Sequence, residues 1–311
     1  VPAFLKPRLW HIDAVAAGQS RQITPLDVQL DGALLTRLTE SEKATVSFVL
    51  RQGTEASAEL ARLELNLELL PRNQWGGLSH LPDMVAAFVQ PNDPQIERLL
   101  KQAAEVLRKN GKNPALDGYR CGSKHAWELA SGIWSAVAAL GLDYALPPAS
   151  FEHAGQKVRG PAQIAESGLA TCLDLALLFC AALEQAGLNP LLVFTKGHAL
   201  AGCWLKAEEF STSVVDDVTA LRKRIKLNEL VLFETTAVTH RPVPAFSHAA
   251  QLGGQQISDD KQDAFELAVD IRRASSRWPA PSCRWCLIRW QCRLIGSRFS
   301  TKPPTGPTTR P

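Results

Sequence analysis

The sequence has no apolar run long enough to span a membrane, and its N-terminus lacks the basic-then-apolar pattern of a secretion signal. Its seven cysteines show none of the paired spacing that braces small secreted domains. These absences predict a protein of a reducing, cytoplasmic setting that makes no contact with a membrane. The remaining composition, 45% apolar and 21% charged over 311 residues, is ordinary for a folded chain with room for two domains.

Acidic residues are missing from the end of the chain. None follows Ala274, whereas seven of the 34 basic residues do, so the rest of the chain holds 27 basic and 31 acidic residues and a net charge of −4. A body of that sign offers no electrostatic footprint for nucleic acid, and direct nucleic-acid binding is therefore not expected. Residues 274–311 also hold three of the eight Trp and three of the seven Cys without any helix or strand period, which predicts a disordered or non-native tail.

Residues 1–72 carry the pattern of a sheet that is apolar on one face. Leucines at every second position from Leu63 to Leu69 alternate with polar residues, and Val46, Phe48 and Leu50 alternate in the same way before Gly53. This predicts an antiparallel hairpin within a partial β-sandwich-like domain. We expect the first strands of that domain to lie upstream of Val1.

Cys172 stands where a loop meets a segment that is apolar nearly all round. Ser167, Gly168 and Thr171 are loop and cap residues, which predict that a buried helix starts near Thr171. A thiol in the first turn lies at the positive end of the helix dipole, and this position favours a reactive thiolate. The unpaired N–H groups there, including that of Cys172, can bind an oxyanion.

Two further residues complete the order Cys, His, acid. His198 follows Gly197 at the start of a predicted strand, and Glu234 ends the buried strand that begins at Leu230. An imidazole beside a thiol and an acid behind the imidazole are the parts of a nucleophilic site. Two alternatives stay open: the three residues are structural, or Asp216 and Asp217 take the place of Glu234.

A long irregular stretch, residues 144–160, precedes the Cys172 segment, and a loop of this length predicts part of a substrate cleft. Within it, Gln156 is a candidate second donor to the oxyanion. Trp204, at the end of the strand after His198, is a candidate wall of the cleft. Asp174, two residues past the cysteine, is predicted to be structural because the helix dipole stabilises a carboxylate there. Near the end of the chain, Arg241–Gln256 is predicted as loop and Ser258–Arg273 as a last helix.

The segments around these residues resemble the transglutaminase-like branch of the papain-type fold. GLATCLD (Gly168–Asp174) is similar to its Gly-x-x-Cys-x-Asp element with one extra residue, Gly197 and His198 are similar to its His element, and ETT (Glu234–Thr236) is similar to its Asp-Pro-Thr element. The third element departs from the family in having Glu for Asp and Thr for Pro. The resemblance implies an α+β domain over residues 73–273, with a helical lead-in and a core at about 143–240.

The run from Trp75 to Thr236 is also similar to a domain near the N-terminus of large bacterial proteins related to superfamily 1 helicases. The phrases that carry this are NQWGG, FVQPND, LDGY, PPASFEHAGQKVR, TCLDLALLF and GHALAGCWL. The two resemblances imply a hydrolase or acyltransferase that acts on an amide or isopeptide bond of a peptide or protein. Cys172 would be the nucleophile, His198 the base and Glu234 its orienting acid, with no metal or organic cofactor. The alternative is a non-catalytic binding or scaffolding module that serves helicase-type domains or subunits.

Overall fold

A computed structural model describes residues 4–22, 28–53, 58–79, 81–277 and 292–294. The chain divides into two compact units, one made of residues 1–71 and 290–311 and the other of residues 72–289. The division falls one residue before the predicted domain boundary.

The first unit is built on the predicted hairpin. Strand β1 (Glu42–Arg51) pairs antiparallel with strand β2 (Glu59–Leu69), and Phe48 lies opposite Leu63. A short helix, α1 (Gly32–Arg37), begins after Asp31, whose carboxylate accepts hydrogen bonds from the first N–H groups of the helix. Apolar residues of these elements and of the segments beside them form a small core, which consists of Phe4, Leu34, Leu38, Ala44, Leu67 and Leu69.

Only two parts of the predicted tail are described, and neither is irregular. Residues 274–277 belong to a helix, and Cys292–Leu294 form a short strand that pairs antiparallel with β2 from Leu69 to Leu67. The other residues of the tail, including Cys283 and Cys286, lie outside the described residues.

The second unit mixes helices with short and long strands. Its helices are α2 (Pro94–Lys109), α3 (Gly122–Ala138), α4 (Phe151–Ala154), α5 (Pro161–Ser167), α6 (Cys172–Gln185), α7 (Val218–Lys226), α8 (Phe246–Gln255) and α9 (Ile271–Arg277). Its strands are β3 (Gln74–Trp75), β4 (Asp143–Tyr144), β5 (Gln156–Lys157), β6 (Leu169–Ala170), β7 (Pro190–Thr195), β8 (His198–Trp204), β9 (Val214–Val215), β10 (Leu230–Phe233) and β11 (Phe265–Asp270). Turns of 3-10 helix cover Pro82–Phe88, Thr235–Thr239 and Asp259–Ala264.

Five of these strands form one antiparallel sheet in the order β10-β8-β7-β11-β9. Because side chains alternate along a strand, β8 sends Ala199, Ala201 and Cys203 to one face and Leu200 and Trp204 to the other. The first face packs on the apolar helix α6, and the second forms a separate core that includes residues of α7. The described part of the chain is therefore an α+β protein with antiparallel sheets.

Two short strand pairs bring distant segments to the start of α6. Strand β4 pairs in parallel with β6, directly before α6, and β5 pairs antiparallel with β3. The predicted irregular stretch at residues 144–160 thus contains a helical turn, α4, and a strand, β5. These pairs hold the stretch against the first turn of the cysteine helix.

The prediction near the end of the second unit is wrong in two places. Residues 246–255, predicted as loop, form α8, and most of the predicted last helix is a 3-10 turn followed by strand β11 and the start of α9. Strand β11 is paired on both sides, with β7 and β9, and tertiary pairing of this kind overrides local helical spacing. Among the described residues, no helix combines the length and apolar character needed to cross a bilayer.

Candidate active site

Cys172 is the first residue of α6, and its thiol is fully buried. Thr171 caps the helix: its hydroxyl accepts a hydrogen bond from the N–H of Asp174 at 3.2 Å, and the Asp174 carboxylate accepts one from the N–H of Thr171 at 3.0 Å. This reciprocal capping box fixes the first turn of the helix. The sulfur is therefore held at the positive end of a core helix, as the sequence predicts.

His198 joins the thiol to the acid. It is the first residue of β8, and its Nε2 lies 2.8 Å from Oε2 of Glu234, the residue that follows β10. The imidazole also lies within hydrogen-bonding reach of the Cys172 side chain. Since Nε2 is engaged by Glu234, Nδ1 is the ring nitrogen left for the thiol. The structure thus brings together the three residues predicted as nucleophile, base and orienting acid.

The charges of His198 and Glu234 stabilise each other. Burial disfavours a charged His198, but its hydrogen bonds with Cys172 and Glu234 and their negative charges outweigh burial and raise its pKa to about 10. Burial likewise disfavours a charged Glu234, but the hydrogen bond and positive charge of His198 and the bonds from Thr236 outweigh it and lower the pKa of Glu234. At neutral pH the pair is therefore an imidazolium beside a carboxylate.

Glu234 is held from several sides. Its Oε1 accepts hydrogen bonds from the N–H of Thr236 at 3.0 Å and from its hydroxyl at 2.8 Å, while Gln256 donates to Oε2 at 3.3 Å. The N–H of Glu234 donates to the carbonyl oxygen of Ala249 in α8 at 2.9 Å. The side chain one methylene longer than aspartate consequently reaches His198 with a normal hydrogen-bond length.

The turn before His198 is anchored by a buried carboxylate. Glu152 of α4 accepts a hydrogen bond from the N–H of Gly197 at 3.0 Å. Gly197 has φ +70°, a left-handed conformation that glycine adopts at no steric cost, and it turns the chain into β8. The stretch predicted to line a cleft therefore positions the base.

Asp174 has the structural role that its position predicts. It is fully buried, and its two oxygens accept hydrogen bonds from the backbone N–H of Arg159 at 2.8 Å and from the guanidinium of Arg159 at 2.9 Å. Its negative charge is thus paired with Arg159, and its Oδ2 also accepts the Thr171 N–H of the capping box.

Tyr144 is a site residue that the sequence analysis does not single out. Its hydroxyl lies within hydrogen-bonding reach of both the side chain and the backbone N–H of Cys172. The residue is 38% exposed, in contrast to the buried Cys172. The only signal in the sequence is its place at the start of the irregular stretch, because the parallel pairing of β4 with β6 brings it to the site.

Gln156 is buried near the site but serves the helix cap. Its side-chain nitrogen donates to the hydroxyl of Thr171 at 3.0 Å. Its side-chain oxygen has no partner among the described residues, and an oxygen acceptor repels an oxyanion. The expectation that Gln156 completes the oxyanion hole is thus not supported by this geometry.

Trp204 does not line the cleft. It lies at the opposite end of β8 from His198, six residues or roughly 20 Å along the strand. It is fully buried in the second core, where its ring lies tilted against that of Phe210 and under the guanidinium of Arg224. The prediction that it forms a wall of the site is wrong, because the strand carries it away from the thiol.

The rival acids lie at the start of α7, and among the described residues the acid that contacts the imidazole is Glu234. Asp216 and Asp217 are exposed, and Asp217 caps α7 by accepting a hydrogen bond from the N–H of Thr219 at 2.8 Å.

Within the described ranges, no three His, Cys, Asp or Glu side chains are grouped as ligands for a metal ion. Comparison of the chain with protein-family models, curated proteins and solved structures finds no match.

Proposed function

We propose that this protein is a transglutaminase-like cysteine hydrolase or acyltransferase that acts on an amide or isopeptide bond of a peptide or protein. The observation that carries the proposal is the position of His198, 2.8 Å from Glu234 and within reach of the Cys172 thiol. The three residues come from a helix start, a strand start and a strand end, and together they are the nucleophile, base and orienting acid that cysteine catalysis requires.

The residues act in a defined order in the proposed reaction. The thiolate of Cys172 attacks the carbonyl carbon, a C–S bond forms, and the carbonyl electron pair moves to the oxygen, which the N–H of Cys172 binds. His198 then donates its Nδ1 proton to the leaving nitrogen as the C–N bond breaks. The products of this half-reaction are a free amine and a thioester on Cys172.

The second half-reaction releases the acyl group. Water or a second amine attacks the thioester, and His198 takes the proton of the attacking group while the C–S bond breaks. Glu234 keeps the imidazole oriented and balances its charge in both half-reactions. The attacking group decides between hydrolysis and transfer. These steps draw only on side chains and on the backbone of α6.

The alternative is a non-catalytic module of a helicase-type assembly. One observation favours it: the thiol of Cys172 is fully buried, as in a cysteine that serves only for packing. The two functions differ in whether a small acyl donor reaches the sulfur, and this difference can be measured without knowing the natural substrate.

The test is acylation by p-nitrophenyl acetate, with the thioester located by peptide mass spectrometry. We expect a burst of nitrophenolate and an acetyl group on Cys172 in the wild type, no such adduct in Cys172→Ala, and slow acylation in His198→Ala. Cys121→Ala, which removes an exposed thiol, is the matched control and should behave as the wild type. Acylation of Cys172 no faster than that of Cys121 would favour the module.

A further inference from the structure

The backbone fixes Tyr144 beside the nucleophile. Tyr144 lies opposite Ala170 in the parallel β4–β6 pair. Ala170 is only two residues before Cys172. Two backbone hydrogen bonds flank this position and hold the pairing. The N–H of Asp143 donates to the carbonyl oxygen of Gly168 at 2.8 Å, and the N–H of Ala145 donates to the carbonyl oxygen of Ala170 at 2.9 Å. The starting point of the phenol side chain is therefore a property of the fold.

The hydroxyl of Tyr144 meets the two atoms of Cys172 that a substrate carbonyl must also meet. It lies within hydrogen-bonding reach of the sulfur, which attacks the carbonyl carbon, and of the backbone N–H, which binds the carbonyl oxygen. A group that reaches both atoms lies next to the place where the oxyanion forms. Tyr144 is 38% exposed whereas Cys172 is fully buried, so the phenol lies on the solvent side of this contact.

The phenol keeps its proton in the working pH range. Burial, together with the negative charge and hydrogen bond of Cys172, raises the pKa of Tyr144 well above its ordinary value. The hydroxyl is therefore available as a donor wherever the imidazolium of His198 exists.

Other candidates for a second donor are engaged elsewhere. Gln156 donates to Thr171, and the indole N–H of Trp204 faces Asp270 at 3.4 Å in the second core. Among the side chains that the structure places at the thiol, His198 is needed for proton transfer, which leaves the phenol of Tyr144.

We propose that Tyr144 is a catalytic residue whose hydroxyl donates the second hydrogen bond to the oxyanion, beside the backbone N–H of Cys172. This inference rests on the proposed cysteine chemistry and adds to it the identity of one donor. When the C–S bond forms, the electron pair on the carbonyl oxygen is bound by both donors. When the oxyanion collapses, the leaving group departs and Tyr144 still holds its proton.

The test compares two reactions of the same sulfur. Acylation by p-nitrophenyl acetate passes through an oxyanion, whereas alkylation by iodoacetamide is a direct displacement at carbon and forms none. In Tyr144→Phe we expect acylation of Cys172 to slow by roughly 100-fold, the loss typical of one oxyanion donor. We expect alkylation to keep at least the wild-type rate, because the hydroxyl that covers the sulfur is removed.

The chain offers a matched control in its other tyrosine. Tyr119 makes hydrogen bonds with Asn189 and Trp204 in the sheet region, and Tyr119→Phe should leave the ratio of acylation to alkylation unchanged. Equal ratios in wild type and Tyr144→Phe, with Cys172 acylated in both, would overturn the role of Tyr144 and leave the proposed chemistry intact. No acylation of Cys172 in the wild type would overturn the proposed chemistry and with it the inference.

Discussion

Glu234 shows how a single residue sets the charge state of the site. Its carboxylate accepts the Nε2 hydrogen bond of His198 and is itself oriented by Thr236. A glutamate in this place is one methylene longer than the aspartate of the family that the sequence resembles, and the 2.8 Å contact shows that the extra length is accommodated. The charge of this residue is therefore what a mutation should probe.

We expect Glu234→Gln to slow iodoacetamide alkylation of Cys172 at neutral pH. The amide keeps the shape of the side chain but removes the negative charge, so the imidazolium of His198 is less stable. The pKa of His198 is about 10 in the wild type, so a decrease of one unit, or about 1.4 kcal/mol, still leaves the imidazolium at neutral pH, and we expect the rate to fall by less than about tenfold. Glu229→Gln, which changes a surface acid paired with Lys206 and Arg224, is the control. An unchanged alkylation rate in Glu234→Gln would show that the charge of Glu234 does not affect the reactivity of Cys172, and would contradict its proposed role.

The two tyrosines of the chain allow a direct check of the site's electrostatics. Burial raises the pKa of both Tyr119 and Tyr144. A titration followed by near-ultraviolet absorbance should show no phenolate in the folded protein at about pH 10, where an ordinary tyrosine is half ionised. Denatured protein should show two ordinary tyrosines. A phenol that ionises normally in the folded state would contradict the placement of Tyr144 against Cys172.

The sequence predicts some site residues and misses others for a physical reason. Cys172, His198 and Glu234 stand at the ends of regular elements with clear apolar patterns, so their positions follow from local sequence, whereas their proposed roles rest on the family resemblance. Tyr144 lies in a two-residue strand whose partner is 26 residues away in the chain, and so short a strand leaves no periodic pattern. Trp204 and His198 belong to the same strand, β8, but they are its last and first residues. The sequence does not show how far the strand extends, so it does not show that the two residues are far apart.

At the scale of elements, helix α8 and strand β10 position Glu234 through close backbone packing. A Cβ atom built on Gly253 would lie 2.5 Å from Cα and 2.6 Å from the backbone nitrogen of Phe233, the residue before Glu234. Only glycine permits this approach. The helix could not otherwise receive the N–H of Glu234 on its Ala249 carbonyl.

We expect Gly253→Ala to destabilise the second unit by roughly 1–3 kcal/mol, since overpacking against backbone forces the elements apart. Gly254→Ala is the matched control, because no atom lies within 4 Å of its added Cβ. In a helix interior alanine is favoured over glycine by about 1 kcal/mol, so this control should be slightly stabilised. Thermal or denaturant unfolding measures the free energy of unfolding of both variants relative to the wild type. A neutral Gly253→Ala would contradict the close packing of α8 on β10.

The elements near the end of the second unit differ from those that the sequence predicts. Phe265, Leu267 and Val269 alternate with other residues in a strand pattern, but the acid-rich start at Ser258 resembles a helix cap and outweighs that pattern. The error arises because β11 is inserted between β7 and β9 in the sheet, a long-range pairing that no local pattern encodes. Helix α6 is predicted well, since its cap and apolar surface are local features.

At the scale of the whole molecule, the site lies within one unit. All residues of the two cores in residues 72–289 come from that unit, between Trp75 and Ala274. We therefore expect a fragment of residues 72–289 to unfold in one cooperative transition and to label at Cys172 at the rate of the full chain. Loss of cooperative unfolding in the fragment would show that the first unit is needed for the fold. A folded fragment with an altered labelling rate would show that residues outside it act on the site.

The pH dependence of iodoacetamide alkylation at Cys172, in wild type and in His198→Ala, is the most direct test of the proposed site. His198 keeps its proton up to about pH 10, so the wild type should label rapidly already below about pH 7 if its imidazolium activates Cys172 as we propose. In His198→Ala the rate should be low at pH 6 and rise like that of an ordinary thiol near pH 8.5. Exposed Cys121 serves as the internal reference in both proteins. If Cys172 rises with pH in the same way in wild type and His198→Ala, it is not activated by His198, and the catalytic account is contradicted.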